Sequence, residues 1–248
     1  IENSTDPFLH DTDGDQLPDG WEIKYGLLAS GNAGDQGDNG RNGNPDGDLH
    51  YLQVINSNLS GMPTGGFVNR DEYARFPAGR GASDPGNPDT DGDSLPDGWE
   101  IDMSLGSIDP GTGLPFPAPD PLISTGVHGP AGNPDGDFTY VLPSGRCGNE
   151  PFNNLSEFQT YASGESGRSG YTTHPNFIDV DGDFLPDHWE ILFDYDPWDA
   201  DSDNAGQPDT FENPDGDWMA DEDTIVAVSY TNLRAHETLL YHICRLPL

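Results

Sequence analysis

Hydrophobic residues in this chain occur in short clusters, separated by polar stretches that contain glycine and proline. Three clusters, WEIKYGL, WEIDMSL and WEILFDY, each predict one or two helical turns, with Gly26 and Gly106 as the stops of the first two. Two further segments, Phe67 to Phe76 and Phe152 to Tyr161, predict short amphipathic helices with an Asn N-cap and an acidic first turn. The rest of the chain predicts loop. The expected fold class is therefore mostly irregular, with short helices and little or no extended sheet.

Two acidic strings recur in alternation along the chain. The first-type loop has three ungapped copies: DTDGDQLPDGWE (Asp11 to Glu22), DTDGDSLPDGWE (Asp89 to Glu100) and DVDGDFLPDHWE (Asp179 to Glu190). The second-type loop opens with NPDGD at Asn44, Asn133 and Asn213. Segments 49–66 and 138–151 are excursions that interrupt the first two second-type loops.

This repetition predicts a tandem array of small units, each contacting mainly its neighbours. The predicted modules are residues 1–83, 84–173 and 174–224, the third ending in an incomplete loop. Residues 225–248 differ abruptly in composition, with no Asp and no Gly. This tail is interpreted either as an amphipathic helix that packs on a partner, or as translated sequence foreign to the protein, an assembly artefact.

The charge of the chain indicates that its loops bind cations. The formal net charge is -36, from 45 acidic and nine basic side chains, and 34 of the acids are Asp. Asp suits turns and the coordination of hard cations, and bound cations would offset the self-repulsion of the chain. The acidity argues against nucleic acid and anionic membrane as partners. No 18-residue apolar run is present, so no membrane span is predicted.

Each first-type loop places acids at positions 1, 3, 5, 9 and 12, which lets a curled loop point alternate side chains at one centre. The carbonyl of the Leu at position 7 would add an oxygen, while its side chain and the following Trp turn towards a small core. Such an oxygen cage favours calcium over magnesium or zinc. The predicted ligands are Asp11, Asp13, Asp15, Leu17, Asp19 and Glu22; Asp89, Asp91, Asp93, Leu95, Asp97 and Glu100; and Asp179, Asp181, Asp183, Leu185, Asp187 and Glu190.

One feature departs from the EF-hand rule, which expects Gly at position 6. Gln16, Ser94 and Phe184 occupy that position here, and the glycines stand at position 4. The ligand spacing is retained, but the turn need not be that of a helix–loop–helix EF-hand.

The pattern DxDGDxLPDxWE, followed by a second acidic loop, resembles the thrombospondin type 3 class of calcium repeats in its bacterial surface-protein form, over roughly residues 6 to 224. The resemblance implies an extracellular, calcium-stapled structure with about five or six ions. Carried over by position, it implies second-type ligands at Asn44, Asp46, Asp48, Asn69 and Glu72; at Asn133, Asp135, Asp137, Asn154 and Glu157; and at Asn213, Asp215, Asp217 and Asp221. Thr224 stands where the closing Glu of the last loop belongs, and Asn154 is also expected to cap a helix.

Catalysis is not expected. No GxSxG, HExxH or phosphate-loop string is present, and the paired carboxylates are all assigned to metal loops. The string Asp194 to Asp203 is either a further site, through Asp199, Asp201 and Asp203, or a plain acidic surface loop. Asn58, in an N-x-S sequon, is a candidate for an N-glycan.

The leading interpretation is a calcium-binding structural segment at a cell surface or outside the cell, forming a rigid stalk, adhesin or surface fibre. Three alternatives stay open: a self-polymerising filament subunit that contacts copies of itself, a dockerin-like module that binds another surface protein, and a spacer of a secreted hydrolase.

Overall fold

The computed structural model of the protein describes residues 4–30, 38–51, 53–55, 58–60, 65–74, 82–104, 119–141, 146–163, 172–193, 195–202 and 206–211. The predictions on Gly106, Asp203, the NPDGD string at 213–217, Asp221 and the tail lie outside these ranges. The described chain is mostly loop with short helices and two small hairpins, which confirms the expected predominance of irregular structure.

The described residues contain five α-helices, at α1 Asp19–Lys24, α2 Asn69–Ala74, α3 Asp97–Ser104, α4 Asn154–Ser163 and α5 Asp187–Phe193, and a 3-10 turn at Asp209–Phe211. Every α-helix begins at position 9 of an acidic loop, so the position-12 glutamate always falls in the first helical turn. A negative charge is favoured there by the helix dipole. The predicted stop at Gly26 is confirmed, since Gly26 has φ +77° and Leu27 N–H returns to the Glu22 carbonyl at 2.8 Å.

The predicted helix cap at Asn154 is wrong by one residue. Asn153 Oδ1 accepts the N–H of Ser156 at 3.0 Å, which is the N-cap hydrogen bond of α4. Asn154 instead donates from Nδ2 to the carbonyls of Val127 and Gly129. Asn69, at the start of α2, likewise donates to the carbonyls of Asp38 and Gly40. Both asparagines therefore tie their helix to an earlier turn of the chain.

The two insertions contain antiparallel hairpins, where the sequence predicted only loop. Strand β1 (Gln53–Ile55) pairs with β2 (Asn58–Ser60), the strand that contains Asn58, and β3 (Phe138–Val141) pairs with β4 (Arg146–Pro151). An isolated bridge joins Leu49 to Gly66 at the base of the first hairpin. An antiparallel pair returns the chain to its starting point, so each insertion leaves and rejoins its acidic loop at nearly one place.

The core is divided into small clusters centred on the Leu and Trp residues of the first-type loops. One cluster contains Leu17, Trp21, Leu27 and Ala82, and another contains Tyr51, Leu95, Trp99 and Met103. Leu185 and Trp189 are also buried, so the predicted inward direction of positions 7 and 11 is confirmed. Each such side chain contributes about 1.5–3 kcal/mol when fully buried.

Contacts between successive acidic loops hold these clusters together. Trp99 of α3 donates from its indole N–H to Thr172 Oγ1 at 2.7 Å, and Phe158 of α4 packs against the same ring. His50 lies between Asp102 of α3 and Asp71 of α2, with Nδ1 3.1 Å from Asp102 Oδ1. Hydrogen bonds from the His50 ring to the carboxylates of Asp102 and Asp71 raise the pKa of His50 to about 10. None of the helices among the described residues has the length and apolarity needed to cross a membrane.

Candidate metal centres

The first-type loop curls because its own carboxylates accept backbone N–H groups. Asp11 accepts the N–H of Gly14 at 2.7 Å on one oxygen and that of Gln16 at 2.9 Å on the other. Asp15 accepts the N–H of Leu17 at 2.8 Å. These side-chain turns replace helix or strand hydrogen bonds, and they bring alternate side chains to the inside of the curl.

The other two first-type loops repeat this pattern. Asp89 accepts the N–H groups of Gly92 and Ser94 at 2.8 and 2.9 Å, and Asp179 accepts those of Gly182 and Phe184 at 2.8 and 3.0 Å. Equivalent positions thus make the same hydrogen bonds in three places along the chain.

Position 6 adopts a left-handed backbone although it is not glycine. The φ angles are +79° at Gln16, +83° at Ser94 and +85° at Phe184. A non-glycine residue in this region costs about 1–2 kcal/mol, and such strain is retained where the surrounding structure or a function requires it. The position-6 turn of an EF-hand loop is therefore present here without its glycine.

The curl gathers three carboxylates in each loop. Ligand oxygens of Asp11, Asp13 and Asp15 all lie within 4.8 Å of one another, as do those of Asp89, Asp91 and Asp93 and those of Asp179, Asp181 and Asp183. Two unit charges at this separation repel by about 3 kcal/mol at an effective dielectric of about 20. A bound cation would offset this repulsion in each group.

A buried glutamate faces each group from the first turn of the following helix. Glu22, Glu100 and Glu190 have no solvent exposure, and neither carboxylate oxygen of any of them has a hydrogen-bond partner within the described residues. Burial, with the charges of Asp93 and Asp91 adding, raises the pKa of Glu100 to about 10. Burial and the charges of Asp15 and Asp13 raise that of Glu22 to about 8. A buried carboxylate that accepts no hydrogen bond calls for a compensating positive charge, which a metal ion would supply.

The second-type loops are rebuilt across their insertions. Oxygens of Asp46, Asp48 and Glu72 lie within 4.8 Å of one another, and so do those of Asp135, Asp137 and Glu157. Glu72 is buried with both oxygens unpartnered in the part of the chain that the structure describes. Burial, with the charges of Asp97 and Asp48 adding, raises its pKa to about 10. The interruption between positions 5 and 7 therefore does not separate the predicted ligands.

The asparagines of these loops divide into two roles. Asn44 accepts the N–H of Gly47 at 2.8 Å, as Asp11 accepts that of Gly14, and Asn133 accepts that of Gly136 at 2.7 Å. Asn69 and Asn154 are fully buried, and their Oδ1 atoms have no donor among the described residues. Because their amide nitrogens are already held by two carbonyls, these Oδ1 atoms are oriented as neutral oxygen ligands.

The position-9 aspartates of the first-type loops make a different contact from the one predicted. Both oxygens of Asp19 accept from Thr12, one from its N–H and one from its hydroxyl, and Asp97 accepts from Thr90 in the same way. Asp19 and Asp97 thus close the loop on itself, and their coordination of a metal stays a prediction.

Sequence reasoning missed two further backbone oxygens, the carbonyls of Phe67 and Phe152. Phe67 N–H donates to the Asp48 carbonyl at 3.2 Å, and Phe152 N–H to that of Asp137 at 3.5 Å. Phe67 and Phe152 are buried like Leu17, and each stands two residues before the start of a helix. They occupy position 7 of the second-type loops, so their carbonyls are the equivalents of the Leu17 carbonyl. The signal was the apolar residue two positions before each helix-initiating Asn.

A fourth segment, 196–211, has the hydrogen bonds of a first-type loop without its DxDGD string. Ser202 donates its N–H and hydroxyl to Asp209, as Thr12 does to Asp19. Gly206 has φ +92° and donates to Asp201 Oδ2 at 2.8 Å, which is the position-6 contact. Asp201 is therefore position 1 of this loop.

This register changes the interpretation of Asp199, Asp201 and Asp203 as one ligand set. Asp199 lies in the preceding turn, where its N–H donates to the Asp196 carbonyl. Position 5 is Ala205 in the sequence, so one carboxylate of the first-type set is replaced. The Asp-Pro pair that stands five residues before Asp11, Asp89 and Asp201 was the available signal.

Comparison with family models, curated proteins and solved structures returned no match for this chain. The chemistry of the centres therefore rests on their geometry: several acidic clusters could hold metal ions. The buried carboxylates of Glu22, Glu72, Glu100 and Glu190 have no donor among the described residues. The donor sets contain only oxygen, which suits a hard cation.

Proposed function

We propose that the protein is an extracellular or cell-surface structural segment of the thrombospondin type 3-like kind, whose acidic loops bind calcium and are folded by it. The observation that carries the proposal is the buried glutamate at position 12 of the acidic loops. Glu22, Glu72, Glu100 and Glu190 each bury a carboxylate that has no described donor and that feels the charges of the aspartates of its loop. Only a cation makes four such sites favourable at neutral pH without protonating them.

Calcium is favoured over other cations by the number of oxygens that each loop presents. The loop around Asp89 offers three aspartates, the Leu95 carbonyl and both oxygens of Glu100, which reaches the six to eight ligands that calcium takes. Magnesium prefers fewer protein ligands in strict octahedral geometry, and zinc prefers nitrogen and sulfur. Position 6 in the left-handed region further matches the turn of a calcium loop.

A tandem array of such centres supports a structural role rather than catalysis. The described hydrophobic clusters are small, and each takes its Leu and Trp from a metal loop, so binding of the ion and formation of the core are one event. Modules that need calcium to fold would be stable outside the cell, where calcium is millimolar and even weak sites are filled. The segment would then act as a calcium-rigidified stalk, adhesin or surface fibre.

The test compares the chain with and without calcium. Circular dichroism and hydrodynamic radius are recorded after exhaustive chelation, then on return of calcium, with magnesium at equal concentration as the ionic-strength control. The proposal expects loss of helical signal and an expanded radius in chelator, and recovery with calcium but not with magnesium. An unchanged spectrum and radius in chelator would contradict it.

A further inference from the structure

Asp187 has a buried carboxylate oxygen without a described hydrogen-bond partner, unlike the aspartates at the same position of the other first-type loops. The residue is 1% exposed, and its Oδ1 accepts the N–H of Val180 at 2.9 Å. Its Oδ2 is buried and has no hydrogen-bond partner in the ranges that the structure describes. Leaving a buried carboxylate oxygen unpaired is costly, so it calls for a compensating charge.

The contrast with the other loops locates the cause in one residue. Thr12 Oγ1 donates to Asp19 at 2.7 Å, Thr90 Oγ1 to Asp97 at 2.6 Å, and the Ser202 hydroxyl to Asp209. Position 2 of the third loop is Val180, which has the shape of threonine without its hydroxyl. The third loop therefore keeps the aspartate but lacks the donor that satisfies it elsewhere.

The surroundings of Asp187 indicate what the oxygen faces. Helix α5, which Asp187 begins, packs against β3, the strand that directly follows Asp137. The ring of the next residue, His188, lies 4.6 Å from that of Phe152, which is position 7 of the second-type loop of Asp135 and Asp137. Asp187 thus lies at the contact between two successive acidic loops.

The electrostatics agree with this placement. Burial raises the pKa of Asp187 well above its ordinary value, and the charges of Asp179, Asp135 and Asp137 add to it. Asp179 belongs to the loop of Asp187 itself, whereas Asp135 and Asp137 belong to the preceding centre. Asp187 in turn is one of the charges that raise the pKa of Glu157. The charge of Asp187 therefore acts on the carboxylates of its own loop and on those of the preceding centre.

We propose that Asp187 contributes its free oxygen to the cation centre formed by Asp135, Asp137 and Glu157, so that one bound calcium ion joins the second module to the third. This inference rests on the proposed calcium binding and extends it to a ligand set shared between modules. At the preceding junction the equivalent residue, Asp97, already accepts the Thr90 hydroxyl and has no free oxygen to contribute.

The test uses the full chain and calcium alone as the probe. Val180→Thr supplies the missing hydroxyl and Asp187→Asn removes the charge, while Val180→Ala is the control that changes Val180 without supplying a donor. Each is measured in the wild-type chain, in Glu157→Gln, which disables the second-module centre, and in Glu190→Gln, which disables the centre of the loop to which Asp187 itself belongs. The readouts are the calcium isotherm and the number of ions bound.

We expect Val180→Thr and Asp187→Asn to weaken one site by about 10- to 100-fold, the range for residues that support a metal centre. Val180→Ala should leave that site unchanged. The weakening should persist in Glu190→Gln and vanish in Glu157→Gln. If it instead vanishes in Glu190→Gln, or if Val180→Thr has no effect on any site, the inference is wrong while calcium binding stands. A wild-type chain that binds no calcium would overturn the proposed function itself.

Discussion

The backbone N–H of Phe67 donates to the carbonyl of Asp48 at 3.2 Å, although residues 49–66 lie between them. The insertion thus returns to its starting point, and the acidic loop continues as if it were uninterrupted. Further into the insertion, the His50 N–H donates to the Gly65 carbonyl at 2.8 Å, so the two ends of the insertion are paired. A metal centre can therefore tolerate a long insertion when the insertion is a hairpin.

Shortening the first insertion should leave its metal centre intact. Residues 52–63 are replaced by Asn-Gly, a two-residue turn that suits a hairpin, which keeps Leu49, Tyr51 and Gly65 in place. We expect the same number of bound calcium ions as in the wild type, because the ligands are joined at Asp48 and Phe67. Loss of one ion, measured by equilibrium dialysis, would show that the hairpin itself holds the centre.

Replacing the glycine at position 10 by alanine should stabilise one first-type loop and destabilise another. A Cβ on Gly98 would lie 2.2 Å from the Leu49 carbonyl oxygen, whereas a Cβ on Gly20 would meet nothing within 4 Å. Both glycines lie in helices, where Ala is favoured over Gly by about 1 kcal/mol. Gly20→Ala should therefore raise the urea midpoint in calcium, and Gly98→Ala should lower it. Equal shifts in the two variants would argue against the close contact between α3 and the preceding loop.

Replacing a closing glutamate should have opposite effects with and without calcium. Glu100→Gln keeps the shape of a buried side chain and removes its charge, so the cation-free protein should be equally or more stable at neutral pH. With calcium it should bind one ion fewer and be less stable than the wild type. Glu150→Gln, at an exposed residue of β4, is the matched control and should change neither quantity. The helical circular dichroism signal in chelator and the urea midpoint in calcium measure the two effects.

The stability of the cation-free protein should fall as pH rises. Burial, with neighbouring carboxylates adding, raises the pKa of Glu72 and Glu100 from 4.5 to about 10, so the folded state binds protons that the unfolded chain has lost. The free energy of unfolding then decreases with pH between these values. In chelator the helical circular dichroism signal should be largest at about pH 5 and fall by about pH 9, whereas in saturating calcium it should stay constant. A helical signal that rises with pH in chelator would be inconsistent with buried, unpaired glutamates.

Sequence reasoning was strongest where the residues act locally. The spacing of Asp11, Asp13 and Asp15 predicted their convergence, and the Leu-Pro-Asp-Gly-Trp run predicted both the buried Leu17 and the helix after it. Each of these depends on bonds within a few residues, such as that from Gln16 N–H to Asp11.

Features that depend on distant contacts were missed. The rejoining of Asp48 with Phe67 depends on a hairpin whose short strands resemble loop in sequence, and the loop at Asp201 keeps its hydrogen bonds although Ala205 replaces the acid at position 5. The Thr12 bond to Asp19 was missed for another reason, because acid spacing alone does not distinguish a ligand from a loop-closing acceptor.

The number of calcium ions bound per chain tests the central claim most directly. It is measured by equilibrium dialysis of the full chain at millimolar calcium with magnesium in excess, and compared with the chain in which Glu22, Glu72, Glu100, Glu157 and Glu190 are all replaced by Gln. The centres at these five glutamates predict at least five ions for the wild type and a loss of about five in the variant. A wild-type chain that binds none, or a variant that binds as many as the wild type, would contradict it.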